Sequence, residues 1–143
     1  MTPGFQIPNP DGWLVRTKDG ENFVEQERFH FVRKNGQELF TRLRSKTDGP
    51  SIPFAAQFFI RKNGLIWPCG VLHDGGYQNA LEDVNGNPIV LTRAECDDLI
   101  LEAMELQGID FLERKTVYDQ LRLWGWKAFN EDRKEQCKPQ LTL

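Results

Sequence analysis

A helix whose two ends are both marked in the sequence constrains the fold more than any other feature. Thr92-Arg93-Ala94-Glu95 has the spacing of a capping box, in which the Thr and Glu side chains each accept a hydrogen bond from the other residue's backbone N–H. Apolar residues then recur at helical spacing until Gly108, which acts as a stop signal. They are Cys96, Leu99, Ile100, Ala103 and Met104. We therefore predict a helix over 93–107 whose apolar face packs on other elements.

A second helix is predicted earlier in the chain, over 68–81. Pro68 suits its first turn, because proline has no backbone N–H to lose there. His73 and Tyr77 would then lie one turn apart on one face. Gly75-Gly76 opposes this helix, since two glycines cost about 2 kcal/mol relative to alanines. Either packing compensates for that cost, or the backbone approaches another element closely at this point.

A third helix and the two chain ends complete the prediction for the outer parts of the sequence. Asp110-Phe111-Leu112-Glu113 has a second capping-box pattern, and it opens a helix over 111–130. The prolines and glycines in 1–12 predict an extended N-terminal arm. Residues 131–143 are predicted to form a polar C-terminal tail. The length of 143 residues suits a single domain over 1–143.

The N-terminal part of the chain carries the signals of strands and tight turns. Asp19-Gly20 and Asn35-Gly36 favour two-residue hairpin turns, because both central residues accept a positive φ. They separate short runs rich in Phe, Val and Leu. We predict an antiparallel β-meander of three strands over about 13–44. The predicted fold class is therefore α+β, with this meander packed on about three helices.

Composition limits the classes of function. The net charge of −3 argues against broad nucleic-acid binding, which uses a basic face. No apolar run approaches the roughly 20 residues of a membrane helix, so we expect no membrane insertion. The start of the chain lacks the pattern of a secretory signal. Three widely separated cysteines, with no Cys-x-x-Cys pair, indicate reduced thiols and synthesis in the cytoplasm, and they argue against a structural zinc site.

The candidate functional residues lie in and near the stretch 67–77. This stretch holds His73, one of the two histidines, followed by Asp74 and Tyr77. Two antiparallel helices would bring Asp97 within reach of His73. An imidazole titrates near neutral pH and suits a general base, and a carboxylate on its other nitrogen fixes the tautomer. The candidate catalytic residues are therefore His73, Asp97 and Tyr77.

Other uses of the same residues stay open. A buried His73 that bonds to Asp97 or Tyr77 can simply lock two helices together, and a histidine can also ligate a metal. Asp48 and Ser51 lie in a proline-rich loop. They either hold that loop through bonds to its own backbone or line a pocket over His73.

Four short motifs are spread between residues 47 and 125. They are Thr47-Asp48-Gly49-Pro50-Ser51-Ile52-Pro53, Leu72-His73-Asp74-x-x-Tyr77, Arg93-x-x-Cys96-Asp97 and Tyr118-x-x-x-Arg122-x-x-Gly125. Their combination resembles a family of small phage and prophage proteins catalogued as a domain of unknown function, over about residues 40–130. The resemblance implies a phage-encoded protein made in the host cytoplasm, and it implies no activity. Gly75-Gly76 and a longer insertion after Tyr77 depart from the family's pattern.

A second resemblance is local. Cys69-x-x-x-His73-Asp74-x-x-Tyr77, together with Asp97, is similar to the His-Asp secretory phospholipases, which carry such residues on two antiparallel helices. The resemblance implies that His73 activates water, that Asp74 binds calcium, and that Asp97 and Tyr77 orient the histidine. The glycine-rich calcium loop and the disulfides of that family are missing from this chain.

Two main hypotheses about function follow. The first is a small phage hydrolase-like domain that acts on an ester or amide of the bacterial cell envelope. The alternative is a phage virion structural or assembly protein, with other virion proteins as partners, in which the His-Asp-Tyr cluster is a helix clamp. An inhibitor of a host enzyme is a third hypothesis. A cleft over His73 would favour the enzyme, and a buried His-Asp pair without a pocket would favour the clamp.

Overall fold

The computed structural model describes residues 1–6, 14–16, 23–25, 29–42, 46–47 and 66–136. Within these ranges antiparallel strands come mainly first and four helices follow, so the predicted α+β class is confirmed. None of the described helices is long and apolar enough to cross a membrane.

The described elements have the following bounds. The strands are β1 (Gly4–Phe5), β2 (Leu14–Arg16), β3 (Phe23–Glu25), β4 (His30–Val32), β5 (Glu38–Thr41), β6 (Lys46–Thr47) and β7 (Leu81–Glu82). The helices are α1 (Trp67–Tyr77), α2 (Arg93–Leu106), α3 (Phe111–Trp124) and α4 (Trp126–Gln136).

The described strands form two antiparallel sheets, in the orders β1-β4-β5-β7 and β2-β3-β6. The β4–β5 hairpin turns at the predicted Asn35-Gly36, where Gly36 has a φ of 90°. The predicted single meander over 13–44 is instead divided between the two sheets, because β2 and β3 lie in one and β4 and β5 in the other. The sheet of β4 and β5 is completed by β1 from before residue 13 and by β7 from beyond α1. Such long-range pairing leaves no signal in local turn patterns.

Helix α1 ends at Tyr77, four residues before the predicted end at Leu81. Asn79 takes a left-handed conformation with a φ of 56°. The N–H of Ala80 donates to the Gly75 carbonyl at 2.7 Å, and the N–H of Asn79 donates to the Gly76 carbonyl at 3.3 Å. These two bonds are those of a Schellman motif, in which asparagine replaces the usual glycine, and the chain then turns into β7.

The glycine pair in α1 is explained by close packing. A Cβ on Gly76 would lie 2.8 Å from Sγ of Cys96 on α2, and a Cβ on Gly75 would lie 3.1 Å from Cδ2 of Leu81 on β7. Backbone approach of this kind is the second of the two explanations that the sequence left open. It brings α1 close enough to α2 for polar side chains of the two helices to bond directly.

The predicted helix over 111–130 is instead two helices that meet at Gly125. A Cβ on Gly125 would lie 2.5 Å from the Leu121 carbonyl oxygen and 2.7 Å from the Tyr77 hydroxyl, so only glycine fits there. Helix α4 continues to Gln136, into the predicted polar tail. The residues of that tail beyond 136 lie outside the described part of the chain.

The two predicted capping boxes differ in outcome. At the start of α2, Thr92 and Glu95 make both bonds of the box. At the start of α3, Asp110 occupies the capping position, but its side chain makes no capping hydrogen bond. The first pattern begins with Thr and the second with Asp, whereas the capping box is defined for Ser or Thr.

The main core lies between the four-stranded sheet and the helices. Phe31 and Leu39 contribute from the sheet, and Leu72, Leu99 and Leu121 contribute from α1, α2 and α3. Fully burying such a side chain stabilises the fold by about 1.5–3 kcal/mol. The same three helices supply the polar side chains that meet inside this apolar surrounding.

Candidate functional site

Asp97 is a fully buried carboxylate at the contact between α1 and α2. Its Oδ1 lies 2.8 Å from Nε2 of His73 and accepts a hydrogen bond of 2.7 Å from the Tyr77 hydroxyl. His73 and Tyr77 are also fully buried, and their ring centroids are 4.0 Å apart, as expected one turn apart on α1. The structure therefore brings together the three residues that the sequence analysis selected.

Two arginines reach the other oxygen of the same carboxylate. Nη1 of Arg122, on α3, donates to Oδ2 of Asp97 at 2.8 Å. Nη1 of Arg93, one turn before Asp97 on α2, lies 3.7 Å from the same oxygen and donates to the Leu121 carbonyl at 3.0 Å. Asp97 is thus shared by three helices.

These contacts decide the charge state of the carboxyl group. Burial acts to raise the pKa of Asp97, but the hydrogen bonds from His73, Tyr77 and Arg122 outweigh it and hold the pKa below its ordinary value. Burial and the bond to Asp97 raise the pKa of the Tyr77 hydroxyl. At neutral pH the pair is therefore an ionised carboxylate and a protonated phenol.

The charge state of Asp97 fixes the proton on His73. An ionised carboxylate only accepts hydrogen bonds, so Nε2 of His73 must be the donor in the 2.8 Å contact. The other ring nitrogen, Nδ1, is buried and has no hydrogen-bond partner among the described residues. In the neutral ring this nitrogen carries the lone pair. A carboxylate on one nitrogen and a bare lone pair on the other is the arrangement of an oriented general base.

Helix α4 closes the site around Tyr77. The Phe129 ring packs edge-on against the Tyr77 ring with centroids 5.2 Å apart. Arg133 donates hydrogen bonds to the carbonyls of Tyr77, Gly76 and Leu91 at 2.9, 3.1 and 2.8 Å. Its guanidinium also lies over the Phe129 ring, 4.5 Å from the centroid. Arg133 therefore donates to two carbonyls at the C-terminal end of α1, where the helix lacks its usual partners, and one of them, that of Gly76, also accepts the N–H of Asn79.

The roles predicted for Asp74, Asp48 and Ser51 in binding calcium or lining a pocket stay predictions. Asp74 is buried on α1, with 2% of its surface exposed. Within the described ranges no group of three His, Cys, Asp or Glu side chains is arranged to hold a metal ion. Calcium takes six to eight oxygen ligands, so its binding by Asp74 would need oxygens beyond such a group, and this role of Asp74 stays a prediction. Asp48 and Ser51 lie outside the described residues.

Sequence reasoning gave no role to the three arginines. Arg93 and Arg122 stand in the motifs that carry the family resemblance, and Arg93 is four residues from Asp97 on one helix, which is the spacing of an ion pair. That spacing was a usable signal. Arg122 and Arg133 reach the site from other helices, so nothing in the local pattern pointed to their partners.

The chain belongs to the family described as Protein of unknown function (DUF1353), whose model matches residues 24–120, more than half of the chain. The matched range includes His73, Tyr77 and Asp97, whereas Arg122 lies beyond its end. The resemblance to a domain of unknown function is thereby confirmed. The comparisons with characterised proteins and with solved structures found no match.

Proposed function

We propose that the chain is a small phage-encoded hydrolase that uses His73 as a general base on an ester or amide of the bacterial cell envelope. The observation that carries this proposal is the state of the imidazole. Nε2 is bonded to Asp97, while Nδ1 is buried without a partner in the described part of the chain. The local likeness to the His-Asp phospholipases assigns the same role to this histidine.

The proposed reaction uses residues of this chain alone. Nδ1 of His73 takes a proton from a water molecule while the water oxygen bonds to the carbonyl carbon of the substrate. The tetrahedral intermediate then collapses, the carbon–oxygen or carbon–nitrogen bond breaks, and the proton on Nδ1 passes to the leaving alcohol or amine. Asp97 stabilises the transient imidazolium through Nε2, and Tyr77 helps to orient Asp97.

A purely structural use of His73 leaves one feature unexplained. The bond between Nε2 and Asp97 suffices to join α1 to α2. A buried polar atom without a partner costs about 1–3 kcal/mol, and within the described ranges Nδ1 is such an atom. A base needs that lone pair free, so the cost has a functional reason. Because His73 is fully buried, the reaction also requires a local opening that admits water and substrate.

The burial of the cluster supports a second candidate, a virion structural or assembly protein in which Asp97 clamps three helices. His73, Tyr77 and Asp97 are all fully buried. A described surface groove of about 370 Å³, lined by residues of α2 and α3, contains none of the three. In this function the cluster contributes stability, and no substrate approaches it.

The two candidates are separated by a pair of substitutions at His73. His73→Gln places an amide donor near the position of Nε2, so it preserves a bond to Asp97 and removes the titrating base. His73→Ala removes both. We would measure thermal unfolding of each variant, and hydrolysis of chromogenic esters and amides, phospholipid vesicles and purified peptidoglycan, with and without calcium.

For a hydrolase we expect His73→Gln to keep near-wild-type stability and to lose about 100-fold or more in rate, which is the usual contribution of a general base. Activity that survives in His73→Gln would contradict the role of the base. For a clamp we expect no activity in the wild type and a loss of about 2 kcal/mol or more in His73→Ala. At this chain length that loss lowers the unfolding temperature by roughly 4–8 °C.

A further inference from the structure

We propose that Arg122 is a positioning residue for the buried histidine: it holds Oδ2 of Asp97 so that Oδ1 faces Nε2 of His73 and the imidazole lone pair stays on Nδ1. The inference deepens the proposed function and rests on it for its catalytic meaning. The contacts on which it depends are nevertheless present whether or not the protein is an enzyme.

The geometry of the carboxylate gives the first reason. A carboxylate has two oxygens, and here each has its own set of donors. Oδ1 is bonded to His73 and Tyr77 on α1. Among the described residues, Oδ2 accepts one hydrogen bond, which Arg122 donates at 2.8 Å. Arg93 is 3.7 Å from Oδ2, beyond hydrogen-bond distance. Without Arg122, no described donor within hydrogen-bond distance would hold Oδ2, and the carboxyl group would be held through Oδ1 alone.

The charge of the carboxylate gives the second reason. Asp97 is fully buried, and an isolated buried carboxylate is costly unless a cation compensates it. Arg122 supplies the closer of two cations, by a charge-assisted bond of 2.8 Å, while Arg93 lies 3.7 Å from the same oxygen. The Arg122 side chain keeps 35% of its surface exposed. The guanidinium of Arg122 therefore stays partly hydrated while it stabilises the buried negative charge of Asp97.

Geometry and charge together link three helices. Arg122 on α3 keeps Asp97 on α2 ionised and oriented. Asp97 in turn keeps the proton of His73 on Nε2. Arg122 makes no hydrogen bond to Nδ1, so it acts on the histidine through Asp97. It is therefore a positioning residue and not a catalytic one.

The test reads the protons of His73 directly. We would label the full-length protein with ¹⁵N and record long-range proton–nitrogen correlation spectra at neutral pH for the wild type and three variants. Arg122→Gln removes the charge, and Arg122→Lys keeps the charge with a different donor geometry. Arg114→Gln is the matched control, because Arg114 lies on the same helix and donates to the Ile109 carbonyl, away from Asp97. A fingerprint spectrum of each variant checks that it is folded.

We expect the wild type and Arg114→Gln to show a protonated Nε2 and a bare Nδ1. In Arg122→Gln the resonances should move by at least a fifth of the full separation towards the other tautomer or towards the doubly protonated ring. Arg122→Lys should show a smaller but measurable movement. An unchanged pattern in Arg122→Gln would overturn the proposal, and so would an equal change in Arg114→Gln. If Arg122→Gln does not fold, an unchanged pattern in Arg122→Lys overturns it instead.

This readout separates the inference from the proposed function. A change of tautomer in Arg122→Gln, in a protein that hydrolyses nothing, would support the positioning role and count against the hydrolase. Hydrolysis by the wild type, with an unchanged His73 pattern in Arg122→Gln, would support the hydrolase and count against the positioning role.

Discussion

At the level of single residues, Asp97 determines the properties of the site. It is fully buried, and it bonds to His73 and Tyr77 through one oxygen and to Arg122 through the other. Because an ionised carboxylate cannot donate, this one residue fixes the state of its partners. Nε2 of His73 must carry a proton, and in the neutral ring the lone pair is then on Nδ1.

The lowered pKa of Asp97 predicts how stability depends on pH. The unfolded chain binds a proton at this carboxyl group at about pH 3.9, and the folded chain binds it only at lower pH. The contribution of Asp97 to stability is therefore fully present above about pH 4–5. It is lost as the pH falls from there through the folded pKa.

Urea unfolding of the wild type and of Asp97→Asn, between pH 7 and pH 3, measures this contribution. The pKa values of Glu95 and Glu105 are also lowered, so the difference between the two proteins is the informative quantity. We expect the wild type to be more stable at pH 7 and the difference to shrink at acid pH. A difference that is constant or grows towards pH 3 would show that the folded Asp97 does not have a lowered pKa.

At the level of elements, the contact between α1 and α2 depends on the lack of a side chain at Gly76. A Cβ at this position would lie 2.8 Å from Sγ of Cys96, and the same close approach of the helices allows Asp97 to reach His73. We expect Gly76→Ala to lower stability by about 1–3 kcal/mol, because the clash outweighs the gain of roughly 1 kcal/mol in helix propensity.

The double variant Gly76→Ala with Cys96→Ala tests the cause. Removing the sulfur opens the space that the new methyl group needs, so the double variant should lose less stability than the two single variants added together. Purely additive losses, measured by chemical unfolding, would show that the contact with Cys96 is not what requires glycine.

The docking of α4 gives a prediction for a second element. Arg133 donates to three backbone carbonyls, two of them at the end of α1. Arg133→Gln should lower the free energy of unfolding by about 1–3 kcal/mol, since it removes a charged donor from each of these partly buried carbonyls. The neighbouring Lys134 is exposed, so Lys134→Gln should change stability by less than about 0.5 kcal/mol. Equal effects of the two substitutions would contradict the role of Arg133.

At the level of the whole molecule, the sequence predicted what local rules control. The capping box at Thr92 and the hairpin at Asn35-Gly36 each depend on a few neighbouring residues, and both are present. The meeting of His73, Tyr77 and Asp97 followed from helical spacing and one helix–helix contact. Each of these features depends on local structure and on at most one contact between two helices.

What was missed depends on contacts between distant parts of the chain. Leu81 was assigned to a helix, but it pairs with Thr41 in the sheet. Gly125 divides a predicted helix, and a Cβ there would meet the Tyr77 hydroxyl from another helix. Arg122 reaches Asp97 from another helix. No local pattern carries information about such partners, so the predicted site lacked the cations that complete it.

Both the proposed hydrolase and the role of Arg122 depend on Nδ1 of His73 being a bare, buried base. The long-range proton–nitrogen spectrum of the wild-type protein between pH 6 and pH 8 tests this directly, because it reports the proton on each ring nitrogen. We predict a protonated Nε2 and an unprotonated Nδ1 at the upper end of this range. A proton on Nδ1 throughout would contradict the assignment, because His73 would then have no lone pair there with which to activate water.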